Sequence, residues 1–504
     1  MMNFLKKQPW TMISLLLLVA LSGAGCSSLT NPLLSSEPIE LPDAWMELRE
    51  DVTPAPVLNA DELAVWWRHL GDPVLDELVE RTIAGSVDLE SAAARVKEAR
   101  ARRGQAKSEL GPSISTSIST AQSEALGDQN SSSENFSVAL GEQGSSSDNF
   151  SASLDMVWEI DLFGAKRLSL EASQADLKAE IENFRAAQVS LVAETVVAYA
   201  DLRVAEARLR VLEKSLLSRE ETYQLTDWRE QAGLASRLEA NQALSSLGQA
   251  RAERPAIEQI ATEARLRLNL LAGEMPGALD ELLSGPDSEP AMPVPPNAVS
   301  IGIPAETLRQ RPDVKSAERQ LEAAWSRLGV AEADRYPTLQ LTGSLDAKSA
   351  NFGDLFDIDS ISANLLSGLT APIFESGRIR ENIAVREAQW EQAALTYRSI
   401  VLEALSEVER ALSSFRSSQE RIVALEEAAR AAVEAAELAD QRYAAGLVDL
   451  LSVLDTQRTL FNIEEQLVTT RGELLNSFSN LYRALGGGWD HVSHEHATIG
   501  GFDA

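Results

Sequence analysis

The chain carries one plan twice, and this repeat constrains its fold more than any other feature. Gly164 and Gly377 lie 213 residues apart. The same offset pairs Arg185 with Arg398, Glu194 with Glu407, Arg229 with Arg442, Gly233 with Gly446 and Leu238 with Leu451. Upstream the offset becomes 225, pairing Asp88 with Asp313, Gly104 with Gly329, Ala106 with Ala331 and Pro112 with Pro337. A duplicated supersecondary unit buries its apolar surface against its own copy. The 504 residues therefore read as two repeats, 61–272 and 305–485, and not as several unrelated domains. The first copy is 12 residues longer between its proline and its glycine. The source of the extra length is a Ser/Asn-rich duplication, SSSENFSVAL at 131–140 and SSSDNFSASL at 145–154, read as largely an exposed loop. A proline-rich linker, 273–304, joins the repeats, and proline excludes helix interior or central strand there.

Within each repeat the hydrophobic period changes along the chain. Between Pro337 and Gly377 it is two: Leu339, Leu341, Gly343 and Leu345 alternate with Thr338, Gln340, Thr342 and Ser344, and Ile361, Ala363, Leu365, Ser367 and Leu369 form the partner run. In repeat 1 Phe150, Ala152, Leu154, Met156 and Trp158 alternate with Ser151, Ser153, Asp155 and Val157. Strands are expected at about 113–158 and 338–373. A soluble hairpin buried on one face shows this pattern, and so does a membrane barrel with a wet lumen. On pattern alone the soluble reading is the ordinary one. Four strands cannot close a membrane barrel, which needs at least about eight, so lipid-facing strands would require several chains to share one barrel.

After each glycine the period becomes seven. Ala394, Val401, Val408, Phe415, Ile422, Ala429, Ala436 and Tyr443 fall at heptad steps, with Tyr397, Ala404, Ala411, Ser418, Leu425, Ala432 and Ala439 offset by three. Such a seam predicts a coiled-coil helix over 377–445. Repeat 1 carries a weaker version over 164–231, interrupted by Gln188 and Thr195. At 1.5 Å per residue each helix would reach about 100 Å, more than a compact globule needs. Many seam positions are Ala, which lets helices approach closely, as in a sheet of helices curved into a tube. Gly233 and Gly446 end these helices, and second helices are expected over 236–272 and 449–485, so each glycine marks the tip of a helical hairpin.

The N-terminus reads as an export signal over 1–25: Lys6 and Lys7, an apolar run Met12–Leu21, then small residues before Cys26. Small residues before a lone cysteine resemble a bacterial lipoprotein signal, with Cys26 as the lipid-bearing residue; an ordinary signal peptide with an incidental cysteine is the alternative. Residues 26–60 then form a lipid-anchored extension and 486–504 a tail. One cysteine excludes an intrachain disulfide and a thiolate zinc site. A net charge of −31 argues against a nucleic-acid partner, which requires a basic surface. No recognisable catalytic spacing is present and no cofactor is expected. The tail residues His491, His494 and His496 read as a terminal tract more readily than as a metal site.

These stretches together resemble the bacterial outer-membrane efflux factors of the TolC/OprM type, in their lipoprotein branch. The resemblance is carried by Arg311-Pro312-Asp313-Val314, Ala317-Glu318-Arg319-Gln320-Leu321, Gly329-Val330-Ala331, Tyr336-Pro337, Pro372-Ile373-Phe374-Glu375-Ser376-Gly377-Arg378, Tyr443-Ala444-Ala445-Gly446, Val453-Leu454-Asp455-Thr456-Gln457-Arg458 and Leu485-Gly486-Gly487-Gly488-Trp489. It spans roughly residues 40–489. It implies a mainly α fold with a membrane β-barrel part. In that fold a homotrimer pools four strands per chain into a 12-stranded barrel above a long periplasmic α-barrel. The implied function is the exit duct of a tripartite pump. Its partners would be a periplasmic adaptor (membrane fusion) protein, an inner-membrane RND-type transporter and outer-membrane lipids.

The resemblance also implies two sites. A periplasmic gate near the hairpin tip falls on Leu451, Asp455 and Arg458, with Arg442 and Tyr443 nearby. Some relatives carry Asp where this chain has Ser452, so the resemblance implies that this ring is absent here, with Glu239 at the equivalent place of repeat 1 as the replacement charge. The tips Gly233-Leu234-Ala235-Ser236 and Gly446-Leu447-Val448-Asp449 are implied to meet the adaptor. For the charged residues solvation on a long helix is the plain alternative, and for the tips ordinary capping. A lipid-anchored periplasmic coiled-coil scaffold without channel activity would explain the heptads and Cys26, but not strand pairs inserted at equivalent places in both repeats.

Overall fold

The computed structural model describes residues 42, 45–46, 60–124, 146–284, 292–296, 304–355 and 357–489. All belong to one compact unit, Leu41–Ala504. The export signal and Cys26, residues 125–145 of the serine-rich insertion, residues 285–291 and 297–303 of the proline-rich linker and the histidine-rich tail lie outside the described residues.

A short helix Ala60–Ala64 and a 3-10 turn Trp66–Leu70 lead into α1 (Pro73–Gly85) and α2 (Val87–Ser108). Strands β1 (Ser113–Glu124) and β2 (Ser146–Ile160) follow, then α3 (Ala165–Gln231) and α4 (Arg237–Leu271). Repeat 2 runs α5 (Pro312–Ala333), β3 (Thr338–Ser349), β4 (Ile361–Thr370), α6 (Arg378–Ala444) and α7 (Leu450–Ala484). Both long helices have 67 residues and both return helices have 35. The helix α4 runs through Pro255, an exposed position, although proline withholds one backbone N–H there.

The heptad seam is the packing surface. Val401, Ala404, Val408, Ala411, Phe415 and Ser418 are buried on α6, as are Val192, Val196, Tyr199, Leu202 and Ala205 on α3. The two residues that interrupt the apolar pattern of α3, Gln188 and Thr195, are buried as well. The Thr195 hydroxyl donates to the Leu191 carbonyl at 2.8 Å, so it enters the seam without an unsatisfied donor. Gly472 on α7 allows the closest helix approach: a Cβ built there would lie 2.3 Å from Val204 Cγ2 of α3.

Helix contacts define two consecutive layers. Nearest the strands the order is α2–α3–α5–α6, and toward the hairpin tips it is α4–α3–α7–α6. The long helices run through both layers. Within the chain, α2 and α4 form one open side and α6 the other.

The sheet has the same openness. Its order is β1–β2–β3–β4, all antiparallel, with β1 and β4 as edges. Register aligns the period-two pattern across strands. Ile114, Met156, Gly343 and Leu365 lie opposite one another in sequence, as do Thr116, Leu154, Leu345 and Ala363. The intervening rows are polar: Ser115, Asp155, Ser344 and Asn364, then Ser117, Ser153, Asp346 and Ser362. On this second face Ser117 and Ser153 share a hydrogen bond of 2.9 Å, and Ser119 and Ser151 one of 2.7 Å. The apolar face is uncovered, with Ile114, Ile118 and Leu365 at 65%, 75% and 73% exposure.

Between the two helical layers, aromatic residues fasten the chain entry to the helices. Trp66 is fully buried and stacks on Tyr482 at 5.1 Å. Asp72 caps α1 by accepting from the Val74 and Leu75 amides, and its other oxygen accepts from the Tyr199 hydroxyl at 2.5 Å. Burial and that carboxylate both push the Tyr199 phenol well above its ordinary pKa, so it stays a donor. Arg311 makes the matching knot in repeat 2. It donates to the Ala484 carbonyl at 2.7 Å and to Glu407 at 2.8 Å, and it pairs with Asp313. Trp489 receives Arg185 at 4.6 Å and Lys315 at 5.4 Å from its ring centroid.

Candidate functional site

The hairpin tips are built by the same turn twice. The Leu234 amide donates to the Arg229 carbonyl at 2.7 Å and the Gly233 amide to Glu230 at 2.9 Å; Leu447 and Gly446 repeat this on Arg442 and Tyr443. This is the Schellman arrangement, and it requires left-handed backbone, which Gly233 (φ 74°) and Gly446 (φ 75°) supply. The turn forces the next residue outward, leaving Leu234 at 73% and Leu447 at 74% exposure. Ala235 is half-buried. Val448 is half-buried too, packed against the cluster of Tyr443, Leu450 and Val453. Of the implied tip contacts, the two leucines present the free apolar surface.

Capping differs between the copies. Ser236 accepts from the Glu239 amide at 3.3 Å, and the Glu239 carboxylate accepts from the Ser236 amide at 2.6 Å, which closes a capping box. In repeat 2 the acid sits at the cap itself: Asp449 Oδ1 accepts from the Ser452 hydroxyl at 2.5 Å and from the Ser452 amide at 3.0 Å, and these bonds hold the Asp449 carboxyl below its ordinary pKa. The exchange of Ser236 and Glu239 for Asp449 and Ser452 keeps one carboxylate per cap. In this conformation Glu239 is engaged with its own helix.

Asp455 and Arg458 form an exposed ion pair at 2.5 Å, with side chains 66% and 68% exposed. Leu451 is 57% exposed on the same helix, and Arg442 is exposed at the end of α6. Tyr443 is buried, at 4%. Its hydroxyl shares a 3.2 Å hydrogen bond with Thr226 of α3, and its carbonyl accepts from Arg229 at 2.9 Å. The Arg229 guanidinium also lies 4.9 Å from the ring centroid.

Next to this link lies a polar junction of three helices that the sequence reading missed. The Gln457 amide nitrogen of α7 reaches Thr222 at 2.8 Å and Ser218 at 3.0 Å on α3, and Asp440 at 3.3 Å on α6. Gln457 is 6% exposed and its carbonyl oxygen has no partner. Burial pushes the Asp440 carboxyl above its ordinary pKa, the Gln457 bond opposes this, and Glu221 adds to it. A signal existed in the sequence: Thr222 and Thr226 lie four apart on a coiled-coil helix, and buried hydroxyls there call for partners across the seam. Thr226, Arg229, Asp440, Tyr443 and Gln457 thus tie α3, α6 and α7 together just above the tips. Among the described residues no cluster of three or more His, Cys, Asp or Glu is placed to hold a metal ion.

An uncovered apolar strand face, a serine-lined opposite face and two long helical hairpins define a membrane protein with a helical extension in water. Comparison with known proteins agrees. The outer membrane efflux protein family matches residues 78–274 and 303–487. The pyoverdine export outer membrane protein OpmQ of Pseudomonas aeruginosa is 31% identical over 482 residues, covering 95% of this chain and 97% of that protein. The outer membrane protein OprJ of the same species is 34% identical over 340 residues, 66% of this chain and 69% of that protein. Among solved structures, the outer-membrane channel OprN superposes with a TM-score of 0.79 at 30% identity, covering 90% of this chain and 99% of that one. The chain belongs to the outer membrane efflux protein family. It is an efflux channel of the outer membrane that extends into the periplasm. The soluble reading of the strands is thereby overturned, for the reason visible in the sheet: its apolar face stands exposed, with no long helix packed on it among the described residues. The family is one of transport proteins and not of enzymes.

Proposed function

We propose that three copies of this chain form one duct, closing β1 of each copy on β4 of the next into a 12-stranded barrel and the helices into a periplasmic tube. The open edges carry this reading. Both rims of the sheet and both sides of the helical layers end without a partner among the described residues, and four strands are too few to close alone. Closure by copies satisfies every strand edge, as a bilayer interior demands. The polar face with Ser117, Ser153, Asp346 and Ser362 then lines the lumen, and Ile114, Ile118, Leu154 and Leu365 meet hydrocarbon.

The far end of the tube is the gate. Under three-fold symmetry Leu451, Asp455 and Arg458 recur three times around the axis, and a ring of carboxylates favours cations and repels anions. The Thr226–Tyr443, Arg229–Tyr443 and Gln457–Thr222 contacts hold the hairpins of one chain together, so opening means loosening the α7–α6 hairpin from α3. Leu234 and Leu447 present six apolar tips per trimer to a periplasmic adaptor, which couples the duct to an inner-membrane transporter of the RND type. Cys26 carries the lipid that anchors the N-terminal extension. The relatives' names span pyoverdine export and toluene efflux, and this chain is proposed to pass small solutes. Recording from the purified protein in a planar bilayer tests the duct: discrete cation-preferring conductance steps support it, and a protein that inserts without conducting contradicts it.

A further inference from the structure

The upper end of α2 departs from the acidity of the rest of the chain. Arg95, Lys97, Arg100, Arg102, Arg103 and Lys107 fall within 13 residues that hold one acid, Glu98. From Arg100 to Lys107, about 10 Å of helix, there are four cations and no acid. Among the described residues Arg102 alone of the six makes an ion pair, an exposed one with Glu98 at 2.5 Å. The chain as a whole carries 76 acids against 45 bases, so this run is not a sample of the average surface.

Two further observations locate what it faces. Leu89, Ala92, Ala99 and Ala106 bury one face of α2 on α3, while Arg102 and Lys107 are exposed and Arg100 and Arg103 half-buried on its flanks. It ends at Ser108, five residues before β1 starts, and Ile114 and Ile118 of β1 are exposed. The chain therefore passes from cations to exposed apolar side chains, in the order of a leaflet's headgroups and hydrocarbon. Repeat 2 lacks the feature: Trp325, Arg327, Leu328 and Glu332 stand at the matching positions, and Arg327 is paired with Asp176.

We propose that Arg100, Arg102, Arg103 and Lys107 bind the anionic phospholipid headgroups of the leaflet facing the periplasm. Near an anionic membrane surface each cation adds about a fivefold preference, within a reach of about 8 Å at physiological salt. Lys107 and Arg103 are nearest the strand and carry most of it. Held lipids would fix the depth of the barrel and orient the helices below it. The inference rests on the strands lying in the bilayer.

The test titrates delipidated full-length protein in neutral detergent with phosphatidylglycerol and phosphatidylcholine of equal chain length, counting bound lipids by native mass spectrometry. The wild type is expected to prefer phosphatidylglycerol at least about tenfold, with the preference lost near 1 M salt. R100Q/R102Q/R103Q/K107Q is expected to fall to within about twofold, while R327Q in repeat 2 keeps the wild-type preference. Equal binding of the two lipids by the wild type overturns the proposal whether or not the quadruple variant folds. So does inorganic phosphate that competes as well as the lipid. A protein that conducts in a planar bilayer yet shows no lipid preference sinks this inference and leaves the duct standing.

Discussion

Arg229 of α3 and Tyr443 of α6 are joined twice: the guanidinium lies 4.9 Å from the ring centroid and donates to the Tyr443 carbonyl at 2.9 Å. The Tyr443 carbonyl also accepts from the Gly446 amide, so Arg229 braces the turn that ends α6, and the stacking holds the tyrosine hydroxyl on Thr226. Arg229→Ala removes both. The expected local loss is about 2 kcal/mol, a charged hydrogen bond plus a partly desolvated cation–π contact. Hydrogen exchange should show the last turns of α3 and α6 opening faster, with the Trp66–Tyr482 region unchanged. Protection at the tips equal to wild type would show that the link holds nothing.

A half-buried carboxylate at Asp440 gives a pH test. Its pKa in the folded protein is raised above 3.8, first by burial, so the fold favours the protonated form. The sign follows: the relative stability is complete below the unfolded pKa and is lost as pH rises through the folded value. Asp440→Asn removes this loss and offers an amide donor to the orphan Gln457 oxygen. The variant should melt higher than wild type at pH 7, with the gap closing near about pH 3.5. A gap independent of pH would assign the effect to packing.

Gly472 tests the close approach of α7 to α3. Gly472→Ala places a methyl 2.3 Å from Cγ2 of the half-buried Val204, so that side chain must leave its rotamer or the helices must shift. Overpacking of this kind costs about 1–3 kcal/mol. Val204→Ala in the same chain should restore part of the lost stability, and thermal unfolding of the two variants measures it. A single variant as stable as wild type would mean the helices are free to separate.

Charge at the tips tests adaptor docking. Leu234→Asp with Leu447→Asp leaves Gly233, Gly446 and both caps intact, so folding should be unaffected. Export in cells should be abolished while the assembly still forms. Normal export by this variant would remove the two leucines from the docking surface. The gate is separate: Asp455→Ala with Arg458→Ala deletes an exposed pair worth under about 1 kcal/mol to stability. It should nevertheless raise the closed-state conductance, and an unchanged conductance would exclude the pair from the gate.

Periodicity made much of this fold readable. Val401, Val408 and Phe415 are apolar because they face a partner helix, and a step of seven announces that partner without identifying it. Leu339, Leu345 and Leu365 announce strands in the same way. The medium facing them was undecidable from alternation, since lipid and a protein core demand the same side chains there. The site was legible where backbone geometry restricts residue type, as at Gly233 and Gly446. It was hidden where polar side chains meet across helices: nothing in the spacing of Thr222, Asp440 and Gln457 says they converge, because that depends on how three helices are staggered.

The sheet edges test the central claim most directly. β1 and β4 of one chain are three strand spacings apart, about 14 Å. That is too far for a disulfide, which needs Cα atoms within about 7 Å. Ser117→Cys combined in turn with Ser362→Cys, Asn364→Cys, Leu366→Cys or Gly368→Cys, all on one sheet face, can therefore cross-link only between copies. Single variants control for Cys26. Oxidation in intact outer membranes should yield covalent dimers and trimers for at least one pair, all reverting to monomer on reduction. Monomer alone at every pairing would contradict a barrel shared between chains.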